Sequence, residues 1–256
     1  MSSSATLYLV PNTLDLGTQG APSIEWALPA GVLMQAAQLK YWIAENAKTT
    51  RAFLKRVDAI SPLHQPLQSI AIVEIPRPPK GGTPEAPSSI QLLLNPALKG
   101  HDIGLISEAG LPGVADPGAH VVAAAHQMGI PVVSLAGPSS IVMALAASGL
   151  YGQSFAFVGY LPVEARTRGE RIRELETISR RYQQTQLMIE TPYRNQVLFE
   201  ALVTHLSDAT MLSISCGLTL PKGFSKTQFV KAWRTSKPRL PTDIPSVFAF
   251  QASTHY

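Results

Sequence analysis

The chain has 256 residues, 45% hydrophobic and 15% charged, which is enough core-forming sequence for one large or two modest domains and excludes fibrous and disordered classes. Its single cysteine excludes a disulfide framework and suits a reducing compartment. The formal net charge is +4, and residues 164–256 hold 13 basic and 8 acidic side chains, against 8 and 9 in residues 1–163. A phosphate-bearing partner can use this C-terminal basic excess, although a small positive balance is also ordinary for solubility.

The sequence predicts a cytoplasmic protein without a signal peptide or a membrane span. Residues 1–5 lack a basic region followed by an apolar run, so we expect no signal peptide. Residues 117–163 carry no formal charge, but Gly, Pro, Ser, Gln and His interrupt every apolar run before it could cross a bilayer. We therefore expect this stretch to lie in the protein interior.

Strand-like and helix-like segments alternate along the chain, which predicts the α/β class. β-Branched and aromatic runs bounded by Gly, Pro or Asn predict strands at 6–10, 69–75, 103–107, 131–135, 155–160, 186–190, 211–216 and 246–251. Apolar residues at three- and four-residue spacing predict helices at 29–47, 49–60, 117–129, 139–149, 166–182, 194–206 and 226–234. Asp116-Pro117 is typical of a helix N-cap followed by proline at the first helical position.

Two features suggest how the chain is organised. The segment 77–89, RPPKGGTPEAPSS, is dense in turn-forming residues and predicts an exposed loop. A boundary near 117–120 or near 150 would leave two units of ordinary domain size. We predict the first, which gives an N-terminal α/β domain at 1–118 and a C-terminal α/β domain at 119–256.

Several common chemistries lack their sequence motifs. The chain has no phosphate-binding G-x-x-x-x-G-K-[ST], no G-x-G-x-x-G, no H-E-x-x-H and no G-x-S-x-G. Its six histidines lack ligand spacing, so we expect no metal site. Zinc, dinucleotide and serine-hydrolase chemistry are disfavoured.

Two loops remain where a strand ends and a helix begins. The first, SEAGLPGVADPG at 107–118, holds three glycines and two prolines, and the second, LAGPSS at 135–140, leads into the next helix. Glycine lets a backbone approach a ligand closely, and ligands bind at the carboxyl ends of strands in open α/β sheets. Each loop taken alone is equally consistent with an ordinary turn and helix cap.

Taken together, the motifs of the chain resemble a known superfamily. The blocks LISEAGLPGVADPG (105–118), GIPVVSLAGPSS (129–140), ALAASGL (144–150) and FVGYLP (157–162), with LYLVP (7–11), AENAKTTR (44–51), IETPYR (189–194) and GLT (217–219), are similar to the tetrapyrrole methylases. The branch they resemble most is the ribosomal-RNA small-subunit methyltransferase I group, enzymes that use S-adenosylmethionine to 2′-O-methylate a cytidine.

The resemblance implies two α/β domains with a cofactor cleft between them, homodimeric assembly and an RNA substrate. By position, it maps the contacts of S-adenosylmethionine onto residues that are mostly small or apolar: Pro11, Leu14, Ala109, Gly110, Leu111, Val114, Ala115, Ser139, Ser140, Thr191, Cys216 and Pro245. A ribose hydroxyl that attacks the methyl group must also lose a proton, for which a carboxylate is a suitable acceptor. Glu45, Glu108 and Glu190 stand in matching motifs, and each is equally suited to be a structural acceptor.

Two interpretations of the arginine-rich segment 164–181 stay open. Arg166 with Glu170 and Glu176 with Arg180 have the spacing of helical ion pairs on a solvated face. The alternative is an edge that tracks the phosphates of RNA.

Departures from the rRNA branch weaken the assignment of its substrate. That branch reads V-P-T-P-I-G-N-L where this chain has VPNTLDLG at 10–17, A-E-D-T-R where it has AENAK at 44–48, and R-E-L-T-K where it has CGLTL at 216–220. Two alternatives are therefore kept: a methyltransferase of a tetrapyrrole-like small molecule, and a non-catalytic protein of the same fold that binds S-adenosylmethionine.

Overall fold

The computed structural model describes residues 5–15, 22–76, 87–236 and 238–252. The chain divides into two compact units, Met1–Ser139 and Ser140–Tyr256, and each is an α/β unit with its own five-stranded sheet. The division falls later than the predicted boundary at 118/119, because the strand at Val132–Ser134 pairs with the strand at Leu7–Leu9 and completes the first sheet. Within the described parts of the chain, no helix combines the length and apolar character needed to cross a membrane.

The first unit contains a parallel sheet in the order β3-β2-β4-β1-β5. Its strands are β1 Leu7–Leu9, β2 Tyr41–Ala44, β3 Ala71–Glu74, β4 Ile103–Ile106 and β5 Val132–Ser134. Because all five run in the same direction, the loops that follow β1, β2, β4 and β5 leave from one edge of the sheet.

Helices cover both faces of this sheet, so its strands are buried on both sides. The elements are the 3-10 turns Ile24–Trp26 and Leu67–Ser69 and the helices α1 Ala30–Gln38, α2 Ala47–Asp58, α3 Pro87–Leu93, α4 Asn95–Leu98 and α5 Gly118–Gln127. Trp42 of β2 packs with α1 and α2, whereas Ile43 packs with residues of α4 and α5. Gly104 of β4 makes room for Trp42, since a Cβ there would lie 2.8 Å from the indole ring.

The second unit contains a mixed sheet in the order β6-β7-β10-β8-β9. Its strands are β6 Phe155–Phe157, β7 Thr185–Glu190, β8 Met211–Cys216, β9 Phe224–Phe229 and β10 Ser246–Gln251. β6 and β7 are parallel, and every other neighbouring pair is antiparallel. The helices are α6 Ser140–Ser148, α7 Ala165–Tyr182, α8 Asn195–His205 and α9 Val230–Ser236, with a 3-10 turn at Pro192–Arg194.

The core of the second unit also lies on both sides of its sheet. Residues of α7, α8 and α9 pack on one face against Met188 and Phe248, and α6 packs on the other against Leu187 and Val247. Neighbouring residues of β7 and β10 therefore point to opposite layers, as strand geometry requires.

The eight predicted strands are present, but two predicted helices are wrong in part. The segment 29–47 contains α1 and then β2, and the segment 226–234 contains most of β9 before α9 begins. The YWIA run of β2 is apolar on both faces, so its spacing is indistinguishable from that of a buried helix. Residues 77–86 of the predicted loop lie outside the described part of the chain, and residues 87–89 are helical.

Candidate functional site

Three loops meet at the carboxyl edge of the first sheet. Asn12, after β1, exchanges two backbone hydrogen bonds with Gly110, after β4: the Asn12 N–H donates to the Gly110 carbonyl at 2.9 Å and the Gly110 N–H to the Asn12 carbonyl at 3.2 Å. A Cβ on Gly110 would lie 3.3 Å from the carbonyl oxygen of Pro138, in the loop after β5. The two glycine-bearing corners predicted from the sequence therefore lie side by side.

Glycine is required at both corners for different reasons. Gly110 has φ +70°, a left-handed conformation that favours glycine. Gly137 packs so closely against the ring of Pro11 that a Cβ would lie 2.2 Å from the ring Cβ, which no side chain tolerates. The loop after β1 is thus held between the loops after β4 and β5.

The predicted cofactor contacts fall into two groups. Pro11, Leu14, Ala109, Gly110, Leu111, Val114, Ala115 and Ser139 belong to the first unit and lie in the three loops just described. Ser140, Thr191, Cys216 and Pro245 belong to the second unit. Ser246 of β10 lies opposite both Glu190 and Cys216 in the sheet register, so three of these four residues, Thr191, Cys216 and Pro245, lie at one end of the second sheet.

The thiol of Cys216 is poorly suited to reactive chemistry. The residue is 1% exposed, and burial raises the pKa of its thiol. A buried thiol with a raised pKa is a weak nucleophile because the thiolate is the reactive form. Only the close packing or the backbone of Cys216 is therefore available to a ligand.

Asp116 fixes the shape of the loop after β4. Its carboxylate accepts hydrogen bonds from the N–H groups of Gly113 (2.9 and 3.0 Å) and Gly118 (2.6 Å), the first residue of α5. Burial raises the pKa of Asp116 and outweighs these hydrogen bonds, which act in the opposite direction. Val114 and Ala115 project from this braced turn and are exposed, Ala115 with φ +63°.

The three candidate glutamates occupy different environments. Glu45 accepts a hydrogen bond from the backbone N–H of Glu108 at 3.0 Å and so joins the loops after β2 and β4. Glu190, in the second unit, has a side chain 1% exposed that pairs with Arg194 at 3.0 Å and accepts from the Thr191 N–H at 2.8 Å. Both contacts indicate structural roles.

Glu108 is held at one oxygen only. Its Oε1 accepts a hydrogen bond from the side-chain amide of Asn46 at 3.0 Å, and no described residue donates to its Oε2. Asn46 also caps α2, since its Oδ1 accepts from the N–H groups of Lys48 and Thr49. An aspartate in place of Asn46 has no N–H to donate to Glu108, which gives this departure from the family pattern a physical consequence.

A cavity of about 240 Å³ lies beside Glu108 in the first unit. It is lined by residues of the loop after β1, of α2 and of the loop after β4: Asn12, Thr13, Asp15, Thr49, Ala52, Phe53, Arg56 and Glu108. Asn12 is fully engaged there, because its side-chain amide donates to the carbonyls of Ser107 (3.2 Å) and Glu108 (3.1 Å). The cavity is therefore built on a rigid turn.

A buried ion pair forms one wall of this cavity. Arg56 donates from Nη1 and Nη2 to the two carboxylate oxygens of Asp15, at 3.3 and 2.9 Å, and from Nη1 to the Thr13 hydroxyl at 3.1 Å. The side chain of Asp15 is 5% exposed and that of Arg56 is 32% exposed. The guanidinium is fixed in one orientation, with its Nε–H and one Nη2–H left over among the contacts of the described residues.

The contacts of α7 favour the solvated-face interpretation of the arginine-rich segment. Arg166 pairs with Glu170 at 3.1 Å, as its spacing predicted, and Arg180 lies 3.8 Å from Glu176. Arg168 is buried and donates to two backbone carbonyls of the preceding loop. These arginines are engaged within the unit and do not form a row of free cations.

Sequence reasoning missed most of the cavity. Asp15 and Arg56 are 41 residues apart, and only the packing of α2 against the loop after β1 brings them together. The available signal was the run Asn12-Thr13-Leu14-Asp15 directly after an apolar strand, which places several polar side chains at a sheet edge. Among the described residues, no three His, Cys, Asp or Glu side chains are grouped so that they could hold a metal ion.

Solved structures of two methyltransferases and of a protein related to cobalamin synthesis share this fold over nearly the whole chain. The uroporphyrin-III-C-methyltransferase of Thermus thermophilus matches 98% of this chain and 93% of its own, with a TM-score of 0.51 and 18% identity. The methyltransferase CobJ matches 97% and 95%, with a TM-score of 0.56 and 14% identity. CobF of Corynebacterium diphtheriae, a cobalamin synthesis related protein, matches 98% and 99%, with a TM-score of 0.58 and 12% identity. These likenesses show that the chain has the same fold as these three proteins.

Sequence similarity points to one group of proteins. Proteins named ribosomal RNA small subunit methyltransferase I are 40% identical over 104 residues in Vibrio cholerae (41% of this chain, 35% of the relative) and 33% identical over 129 residues in Synechocystis (50% and 45%). The Streptococcus pyogenes protein of that name is 31% identical over 195 residues, which are 75% of this chain and 57% of the relative. The chain thus covers less than two thirds of the length of these relatives, and no family model matches it. The predicted resemblance to the ribosomal RNA small subunit methyltransferase I proteins is confirmed.

Proposed function

We propose that this chain is an S-adenosylmethionine-dependent methyltransferase that methylates a ribose 2′-hydroxyl of small-subunit ribosomal RNA. One observation carries the proposal: a chain 31% identical over 75% of its length to a ribosomal RNA small subunit methyltransferase I brings its two glycine corners together at the carboxyl edge of a parallel sheet. This proposal includes an RNA acceptor, S-adenosylmethionine as the methyl donor, homodimeric assembly and a cytoplasmic location.

The residues of the first unit fit such a methyl donor. The backbone N–H and carbonyl of Gly110 form hydrogen bonds with Asn12, whereas the N–H groups of its neighbours Ala109 and Leu111 have no partner among the described residues. Two free N–H groups on either side of a braced glycine suit a carboxylate or the acceptor atoms of a nucleoside. We assign donor contacts to these neighbours, to Pro11 and Leu14, and to the remaining predicted set Val114, Ala115, Ser139, Ser140, Thr191, Cys216 and Pro245.

The protein has little covalent chemistry to perform in this reaction. The donor supplies an electrophilic methyl group on a sulfonium, so the task of the chain is to align the acceptor oxygen with it, an effect worth up to roughly 7–11 kcal/mol in well-oriented reactions. The acceptor hydroxyl must also lose its proton to a nearby base. Of the three candidate glutamates, Glu108 is favoured because it has an unengaged carboxylate oxygen and lines a cavity.

Methylation of a tetrapyrrole-like small molecule is the weaker alternative. The structures that suggest it share only 12–18% identity with this chain and so support the fold alone. The relatives at 31–40% identity are named for ribosomal RNA.

Two measurements test the proposal. Calorimetric titration with S-adenosylhomocysteine, the product form of the donor, is expected to show one site; no heat and no thermal shift at millimolar ligand would remove both the enzyme and the binding-protein hypotheses. Ribose methylation is then mapped in small-subunit rRNA from cells with and without this gene. Loss of one 2′-O-methyl group is the expected result, and identical maps would reject rRNA as the acceptor.

A further inference from the structure

We propose that the cavity of the first unit receives the acceptor nucleoside of the RNA, with Glu108 taking the proton of the ribose hydroxyl and Arg56 binding the edge of the base. This inference rests on the proposed function and names the acceptor site within it. Glu108 immediately precedes the Ala109–Leu111 segment to which we assign the donor, so an acceptor in this cavity would lie beside the donor.

The size of the cavity fits one nucleoside. Its volume of about 240 Å³ lies below the roughly 300–1,000 Å³ of pockets that enclose drug-sized ligands. A tetrapyrrole macrocycle is larger than a drug-sized ligand and does not fit in this space. A nucleotide turned out of its strand presents one base and one ribose, as in other enzymes that modify nucleic acids.

The charge of the cavity favours a ligand part that carries no negative charge. Arg56 and Asp15 neutralise each other, and Glu108 leaves a formal charge of −1 on the lining. A phosphate or the acid side chains of a tetrapyrrole would be repelled by this charge. The base and ribose carry no formal charge, and the phosphates on either side of a flipped nucleotide can stay outside the cavity.

Arg56 is preorganised to form hydrogen bonds with the edge of a base. Because Nη1 and Nη2 are held by Asp15 and Thr13, the remaining Nε–H and Nη2–H form a fixed pair of parallel donors. Such a pair matches two neighbouring acceptors on a planar ring. Asp15 and Thr13 act here as positioning residues, since they orient the guanidinium without needing to touch the ligand.

Glu108 is positioned in the same way. Asn46 holds Oε1 at 3.0 Å and so orients the carboxylate toward one side. In the proposed step the ribose oxygen forms a bond to the methyl carbon while the sulfur–methyl bond breaks and sulfur keeps the electron pair. The hydroxyl proton passes to Oε2 of Glu108 and from there to water, which leaves a methyl ether and S-adenosylhomocysteine.

The chain offers a steric probe that leaves the ion pair intact. Ala52 lines the cavity from α2 and is otherwise exposed, so Ala52→Trp fills the cavity without removing a polar group. Ala123→Trp, at an exposed position of α5 that is not part of the cavity lining, is the matched control. Glu108→Gln keeps the shape of the side chain and the acceptor for Asn46 but removes the base.

Three readouts separate the possible outcomes: calorimetric binding of S-adenosylhomocysteine, saturation-transfer NMR with a mixture of the four ribonucleosides, and kcat and KM for methyl transfer to a small-subunit rRNA transcript. We expect Ala52→Trp to abolish saturation transfer to the nucleosides and to raise KM at least about tenfold, with product binding unchanged and Ala123→Trp behaving as the native chain. Glu108→Gln should lower kcat by about 10²–10⁴-fold, the usual loss of a general base, with saturation transfer retained.

The results distinguish failure of the inference from failure of the proposed function. If the native chain methylates the transcript and both Ala52→Trp and Glu108→Gln do so equally well, the acceptor site is elsewhere although the function stands. If the native chain methylates no RNA but nucleoside contact is lost only in Ala52→Trp, the cavity is a nucleoside site and the proposed reaction is wrong. Absence of both activities in the native chain overturns both.

Discussion

Breaking the ion pair between Asp15 and Arg56 by removing only the cation should destabilise the first unit, because it leaves a buried charge. Arg56→Met keeps most of the apolar stem but leaves the carboxylate of Asp15, 5% exposed, without its cation. Removing one partner of a fully buried pair costs about 3–5 kcal/mol, and the one-third exposure of Arg56 places this pair lower, at about 2–3 kcal/mol. Asp15→Asn in the Arg56→Met background should recover about 1–2 kcal/mol of that loss, because the buried charge is removed.

Hydrogen exchange measured peptide by peptide is the suitable assay, because it yields a free energy of opening for each unit separately. Peptides of β1, β4 and α2 should lose protection in Arg56→Met, while peptides of the second unit serve as an internal reference. Arg51→Met is the control: Arg51 is exposed and, among the described residues, donates only to the Ala47 carbonyl of its own helix, at 3.4 Å, so its loss should stay within about 0.5 kcal/mol. If Arg56→Met costs no more than Arg51→Met, the pair is not structural and the argument for a fixed guanidinium fails.

Three further predictions concern a glycine corner and two titrating groups. Gly110→Ala and Gly100→Ala both place a side chain at a residue with positive φ, +70° and +82°, so each should lower the free energy of unfolding by about 1–2 kcal/mol in chemical denaturation. Only Gly110→Ala should also weaken S-adenosylhomocysteine binding in calorimetry, because a backbone oxygen lies 3.3 Å from the new Cβ. Equal binding by both variants would mean that the Gly110 corner is only a turn. Hydrogen bonds from the Thr167 hydroxyl and from two backbone N–H groups lower the pKa of Glu164 from 4.5 to about 2, so the stability that this cap gives α7 is present above pH 4.5 and lost as the pH falls toward 2. In the native chain, the free energy of opening of α7 from hydrogen exchange should fall between pH 4.5 and pH 2, whereas in Glu164→Gln it should not change over this range. Burial, then the charges of two nearby arginines, lower the pKa of His205 below 6.5, so the second unit should be most stable above pH 6.5 and weaken below it; His205→Gln should remove that part of the pH dependence in urea titrations.

The elements that were predicted correctly are those whose signals are local. Strands such as β8 and β10, whose observed bounds Met211–Cys216 and Ser246–Gln251 match the prediction, are short, largely apolar segments with turn-forming residues near their ends. The glycine corners were also readable, because a tight turn between a strand and a helix needs particular residue types in a short stretch. Similarly, the pairing of Arg166 with Glu170 follows from helical spacing alone.

What the local pattern could not determine depends on partners that are distant in the chain. β2 is a strand because Trp42 and Ile43 find cores on opposite faces of a sheet, and neither core is visible in the segment itself. β9 has the polar sequence FSKTQF and becomes a strand because β8 offers it a complete ladder of backbone hydrogen bonds. The boundary between the two units, after Ser139, also depends on a distant partner, because β5 joins the first sheet only by pairing with β1.

The candidate site shows the same separation between local and distant information. The sequence by itself determined the α/β alternation, the resemblance to a methyltransferase fold and the glycine corners, because each is encoded in contiguous residues. Only the tertiary structure decided which glutamate keeps a free oxygen and that Arg56 is locked against Asp15 beside it. The physical reason is that hydrogen bonds and ion pairs of this kind join side chains tens of residues apart, and their geometry is fixed only when the sheet edge and its helices pack together.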